Sequence, residues 1–198
     1  MDISPLTLHG NAVTLAPLSL TQLDALCEVG LDPGLWKITM TLIRSRDEMK
    51  AYIETALTWY EQRTALPFAI IDKKSGNIVG STRFANIDHA NRRAEIGWTW
   101  IARPWQRSAL NTEAKYLLLT HAFERMGCIR VEFKTDSINE QSRRALVRIG
   151  AREEGIMRNH MITPTGRIRH SVYYSIIEEE WAGVKQKLAG MVQRNDTK

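Results

Sequence analysis

The chain has 198 residues, 43% hydrophobic and 25% charged, an ordinary globular composition that can supply a sizeable core. No stretch reaches the roughly 20 apolar residues that a bilayer span needs, and Met1–Leu8 lacks the basic and apolar regions of a signal peptide, so the expected compartment is the cytoplasm. The formal net charge of +5, mostly arginines from Arg92 onward, suits a polyanionic partner such as a phosphate-rich cofactor, or simply a solvated basic surface.

Val13 and Leu15 alternate with polar residues as in a short strand. Ser19 to Gln22 forms a capping box before a first helix, and Asp32-Pro33-Gly34 breaks the pattern. A second box at Ser45 to Glu48 opens a helix of about residues 46–63, with Met49, Tyr52, Ile53, Ala56, Leu57 and Tyr60 on one face. Two strands follow, around Phe68–Ile71 and Ile78–Phe84, joined by the turn Lys73–Asn77. Ala94–Ile101 is the next strand. Alternation places Ile96, Trp98 and Trp100 on one face, and Glu95, Gly97, Thr99 and Ile101 on the other.

A helix over about Thr112–Met126 buries Ala114, Leu117, Leu118, His121 and Ala122 and stops at Gly127. A strand then points Ile129, Val131 and Phe133 inward. A short helix from about Asn139 to Ile149 ends at Gly150, and strands at about Arg152–Ile162 and Ile168–Ile177 flank Thr163–Gly166. A C-terminal helix of about residues 178–193 frays into Asn195–Lys198. Cys27 and Cys128 lack metal or disulfide spacing and read as small hydrophobes; no metal site is expected. The order β-α-α-β-β-β-α-β-α-β-β demands an antiparallel meander and one parallel crossover, hence an α/β fold with a mixed sheet and helices on both faces. No linker divides the chain, so residues 1–198 read as one domain.

Ala94-Glu95-Ile96-Gly97-Trp98-Thr99-Trp100-Ile101 and the following Pro104–Glu113 carry a resemblance. Thr135-Asp136-Ser137-Ile138-Asn139, Ser142, Leu146, Gly150-Ala151, Tyr174-Ser175 and Glu179-Glu180-Trp181 extend it. From Leu15 to Trp181 the chain resembles the GCN5-related N-acetyltransferases (GNAT), and among them the RimJ/RimL-type branch. The resemblance implies the GNAT fold, a central, mostly antiparallel mixed sheet splayed between its fourth and fifth strands. It also implies acetyl-CoA as cosubstrate and a primary amine as acceptor, with a protein N-terminal α-amine as the candidate that the branch suggests.

By the same resemblance, Gln106, Arg107, Ser108, Ala109, Leu110 and Asn111, leading into Thr112, cradle the CoA pyrophosphate. Ala109 and Asn111 replace glycines usual in the family. A loop running into a helix N-terminus still offers free N–H groups and positive potential. Arg107 adds charge, and Asn111 tolerates a left-handed turn or else caps the helix. The backbone of Thr99, Trp100 and Ile101 is expected to bond pantetheine and polarise the acetyl carbonyl. Asn139 is expected beside pantetheine and Ser142 as the acid that protonates the leaving thiolate, unless the two are merely a helix cap.

An ammonium acceptor must lose a proton near neutral pH. Glu95 is the first candidate base and His160 the second; each also reads as a structural residue. The tyrosine acid of other branches falls at Leu146 and is absent. Asp32–Arg44, with Trp36 and Met40, and the Thr163–Arg169 turn are expected walls of the acceptor site, where Trp36 either clamps substrate or plugs the core. A non-catalytic acyl-CoA-binding or interaction protein is the alternative function, and a homodimer stays open. No recognition-helix or RNA-binding motif points to nucleic acid.

Overall fold

The structure is a computed structural model that describes residues 1–196. Its strands are β1 (Leu8–His9), β2 (Val13–Pro17), β3 (Leu66–Asp72), β4 (Ile78–Asp88), β5 (Arg93–Ile101), β6 (Arg130–Asp136), β7 (Arg152–Ile162) and β8 (Ile168–Ile177). Its helices are α1 (Leu23–Gly30), α2 (Arg46–Glu61), α3 (Leu110–Glu124), α4 (Glu140–Ile149) and α5 (Glu178–Asp196), with short 3₁₀ turns at Leu20–Gln22, Pro33–Leu35 and Arg103–Trp105. The two-residue β1 carries no alternation by which sequence could find it. Helix α5 runs through Asp196; of the expected frayed end, Thr197 and Lys198 lie outside the described residues. Among the described residues no helix is long and apolar enough to cross a membrane.

The eight strands form one sheet in the order β1-β2-β3-β4-β5-β6-β8-β7. Every pair is antiparallel except β5–β6, which is parallel. The meander and the crossover through α3 are thus as the element order requires. Alternation sends Leu66, Phe68 and Ile70 to one face of β3, where a core forms with Leu110, Ala114 and Leu118 of α3, Leu146 of α4 and Trp181 of α5. Ala69 points to the other face, into a second core with Leu26 of α1 and Met49, Ile53 and Ala56 of α2. The sheet is therefore covered by α3, α4 and α5 on one side and α1 and α2 on the other.

Local chemistry sets the element ends. Ser45 accepts the Glu48 N–H and caps α2. Gly127 and Gly150, at φ +68° and +101°, end the turns after α3 and α4 in the left-handed conformation that glycine adopts without a Cβ clash. One residue expected to point inward does not, and for Trp36 the second of the two readings holds. Ile129 is 41% exposed because it precedes β6. Trp36 is buried, donates from Nε1 to the Gly30 carbonyl at 2.9 Å and packs edge-on against Trp100, so it plugs the α1–α2 core.

Helix α3 carries more polar burial than its apolar stripe suggests: Thr112, Glu113 and Lys115 are all buried. The Glu113 carboxylate accepts the N–H groups of Asn11, Ala12 and Val13 at 2.6, 2.7 and 2.9 Å. One side chain thereby satisfies the turn between β1 and β2 and fixes the start of α3 against the sheet. Glu113→Ala strands those donors, and hydrogen bonds to charged groups are worth about 1.5–3 kcal/mol. Urea unfolding should show a loss of at least that size.

Candidate active site

Strands β5 and β6 pair at only three positions, Arg93↔Arg130, Ala94↔Val131 and Glu95↔Glu132. Beyond Glu95 they part, and the facing edges of Ile96–Ile101 and Phe133–Asp136 have no ladder between them. A bulge assists the parting. Arg83 pairs with Gly97 and Ser81 with Trp100, so two β4 residues oppose three of β5. The extra residue, Trp98, sits at φ +49°, a rare conformation for a bulky residue.

The bulge overturns the expected alternation. Ile96 and Ile101 lie in the core beneath α3, and Thr99 Oγ1 accepts from Lys115 of α3 at 2.9 Å. Trp98 and Trp100 pack in the α1–α2 core. Glu95 therefore shares a face with Trp98 and Trp100, not with Thr99 and Ile101.

At the open end of the notch, the 3₁₀ turn Arg103–Trp105 leads into the loop before α3. Gln106 Nε2 donates to the Ile101 carbonyl at 2.8 Å, and Ser108 Oγ donates to the Trp105 carbonyl at 2.6 Å. The left-handed residue is Arg107, at φ +60°, and not Asn111, which lies within the first turn of α3 and does not cap it. Ala109 is the N-cap residue at φ −62°, a geometry open to any L-residue, so no glycine is needed there. The α3 N-terminus faces the loop with free N–H groups, as an anion site requires. Thr112 contributes differently: its Oγ1 accepts from Arg148 of α4 at 2.9 Å, tying the two helices that border the notch. Asn139 caps α4 by accepting the Ser142 N–H at 3.0 Å, which leaves its amide nitrogen free to donate. The half-buried Ser142 hydroxyl has no partner among the described residues.

On the opposite face Glu95 is 4% exposed. Its Oε2 accepts from Asn86 Nδ2 at 2.8 Å and lies 3.5 Å from Lys134 Nζ. Lys134 stands over the Tyr173 ring, and Tyr173 meets the His160 imidazole edge-on with centroids 5.8 Å apart. The structure thus brings both candidate bases to one charged face. Burial, then Lys134 and Arg169, push the His160 pKa down, and its Nδ1 has no partner. Asp32 pairs with Arg103 at 2.9 Å, and the buried Asp136 pairs with Arg167, so both expected acceptor walls are tethered to the notch.

Sequence reasoning missed Asn86, Lys134 and Lys115. The first two sit on strands whose polar residues look merely solvent-facing. Lys115 did leave a signal, since it falls on the helical stripe of Leu119 and Ala122, both fully buried. Its ammonium bonds Thr99 and stands 5.9 Å from the Phe133 ring centroid, beneath the gap between β5 and β6. Burial lowers its pKa to about 7. The unfolded chain keeps an ordinary lysine pKa and so binds more protons above pH 7. Lys115 therefore destabilises the fold most at and below neutral pH, and stability rises toward its unfolded pKa. Lys115→Met should be more stable than the parent at pH 6–7 in urea titrations, and the difference should shrink steadily toward pH 10.

The family described as acetyltransferase (GNAT) domain matches residues 12–152. The chain is 38% identical over 110 residues to YdaF of Bacillus subtilis strain 168, named a ribosomal N-acetyltransferase; this stretch is 56% of the chain and spans 59% of YdaF. It is 27% identical over 178 residues to N-acetyltransferase p20 of Bacillus licheniformis, covering 89% of the chain and 99% of p20. Among solved structures, a GCN5-related N-acetyltransferase from Brucella melitensis superposes with a TM-score of 0.87 at 30% identity, covering 97% of this chain and 88% of that one. Mycobacterium smegmatis RimJ, in complex with CoA-disulfide, shares the fold with a TM-score of 0.82 at 23% identity, over 94% of this chain and 95% of its own. With its sheet opened between β5 and β6 and a helix N-terminus at the mouth of the opening, the chain belongs to the GNAT family of acetyltransferases.

Proposed function

We propose that this chain, as a single acetyltransferase domain working in the cytoplasm, moves the acetyl group of acetyl-CoA to an α-amine such as a protein N-terminus, with Glu95 as base and Ser142 as acid. The carrying observation is a carboxylate buried on the α1–α2 face where β5 and β6 part. The name of YdaF, a ribosomal N-acetyltransferase, favours an acceptor on a ribosomal component.

The residues around the opening suit CoA. Two unladdered strand edges can pair with the amides of pantetheine. The left-handed Arg107 and the α3 N-terminus form a basic concavity for the pyrophosphate, and the free Asn139 amide is placed to donate. Acetyl-CoA supplies the activated acetyl thioester. Over Thr99, Trp100 and Ile101, the backbone N–H groups that point away from β4 are placed to donate to the acetyl carbonyl oxygen as it gains charge.

Glu95 takes the proton of the incoming ammonium. Lys134 and the Asn86 amide both hold Oε2 and so fix the direction of the carboxylate, leaving Oε1 for the amine. Ser142 donates its hydroxyl proton to sulfur as the carbon–sulfur bond breaks.

Glu95→Gln preserves shape and should lower kcat roughly 10²–10⁴-fold at neutral pH. Activity should partly return at high pH, where the amine deprotonates unaided. His160→Gln should leave the pH–rate profile nearly unchanged; loss of its acidic limb in that variant alone would move the base to His160. Ser142→Ala should lower kcat more than it weakens acetyl-CoA binding by calorimetry, because the bond to sulfur matters chiefly in the transition state. Acetyl-CoA binding without acetyl transfer to any amine would leave the chain a non-catalytic acyl-CoA binder.

A further inference from the structure

Arg83 of β4 is one of the largest fully buried side chains, 1% exposed. It makes no ion pair among the described residues, and its Nε and Nη2 have no hydrogen-bond partner. The guanidinium carbon lies 4.6 Å from the Tyr52 ring centroid and 5.4 Å from those of Trp59 and Trp98. An arginine does not neutralise itself by losing its proton. Three aromatic faces offset only part of the desolvation of a full charge and supply no acceptor for its N–H groups. Open donors, fixed charge and flat apolar walls together suit a planar anion, and a carboxylate matches the guanidinium fork.

The position relates this box to the chemistry. Arg83 pairs with Gly97 and Ala85 with Glu95, so Arg83 and Glu95 are diagonal neighbours on one face, with Cα atoms roughly 7–8 Å apart. Trp59 and Trp98 meet edge-on, 5.2 Å between centroids, and both are half-exposed, so they form the outer wall of the box. Trp59 also lines an open pocket of about 520 Å³ with Gln62, Thr64 and Asn86, and Asn86 is the residue that holds Glu95. The pocket thus shares Trp59 with the box and Asn86 with the base. Tyr52 Oη donates to the Trp98 carbonyl at 3.3 Å, which couples the box to the bulge.

We infer that Arg83 is a specificity-determining residue: the acceptor carries a carboxylate beside its amine, and this carboxylate pairs with the Arg83 guanidinium between Trp59 and Trp98 while the amine meets Glu95. The inference rests on the α1–α2 face being the acceptor side. The carboxylate has two sources, the α-carboxyl of a free amino acid or the acidic side chain of an N-terminal Asp or Glu.

The test measures kcat/KM for acetyl transfer on matched pairs: free amino acids against their carboxamides, and peptides beginning with Asp or Glu against the same peptides beginning with Asn or Gln. The parent enzyme should prefer the charged member of one pair by roughly 10–100-fold, mainly through KM, as expected for a charge-assisted bond. The preferred pair identifies the source. Arg83→Gln should level the preference while calorimetric affinity for acetyl-CoA holds. Arg83→Lys keeps the charge without the fork; it should retain a reduced preference, and it serves where the glutamine variant fails to fold. Tryptophan fluorescence, reporting Trp59 and Trp98, should respond to the charged member of the pair in the parent and not in the variants, and reads the site even where no amine is turned over. Equal use of both members by the parent, equal fluorescence response, or a preference that survives in folded Arg83→Gln overturns the inference. Loss of turnover with a selective fluorescence response intact instead sinks the assignment of Glu95 and Ser142.

Discussion

The parting of β5 from β6 after Glu95 is the constraint on which the rest depends. Parallel strands joined through α3 could pair along their full length, as the other strand pairs largely do. Here the ladder stops after three residues, and the bulge at Trp98 turns β5 away. A backbone edge in a protein interior needs partners. A sheet held open in this way is a slot for an extended, amide-bearing ligand, with the α3 N-terminus at one end and Glu95 at the other.

The polar groups buried around that slot are of three kinds. Glu113 is fully paired and serves the fold, joining α3 to the turn before β2. Lys115 is half-satisfied, with one hydroxyl and an aromatic face for a charge that burial disfavours. Arg83 is charged, enclosed and unpaired. These two lie on opposite faces of the sheet, Lys115 under α3 and Arg83 under α2, and such exceptions to polar satisfaction cluster at functional sites.

Electrostatics also sort the two faces. On the α1–α2 face the carboxylates are matched to cations: Glu95 to Lys134, Glu132 to Arg93 and Arg130, Asp136 to Arg167. The Glu95 carboxylate is held in one direction by Asn86 and Lys134. On the α3 side further pairs, Arg143 with Glu153 and Arg152 with Glu180, tie α4, β7 and α5 together, while Arg107 makes no ion pair among the described residues.

Periodicity and turn chemistry were sufficient for most elements. The capping serine of α2, the glycines after α3 and α4, and the turn Thr163–Gly166 between β7 and β8 are local signals, because helix ends and turns are decided by residues adjacent in sequence. The order of strands and helices likewise required a parallel crossover, and the motif residues Gln106, Asn139 and Ser142 are arranged around the opening it creates. What sequence did not contain was the bulge. Trp98 follows Gly97 as any strand residue would, yet one inserted residue reverses which side chains share a face, and it moved Glu95 to the side of Trp98 and Trp100. Only the pairing with β4 decides that, since register is a property of two strands and not of one. Arg83, Lys115 and Lys134 were hidden for the same reason. Their meaning lies in what is missing or present across the sheet and helix that enclose them, and burial of a charge cannot be read until its neighbours from distant parts of the chain are in place.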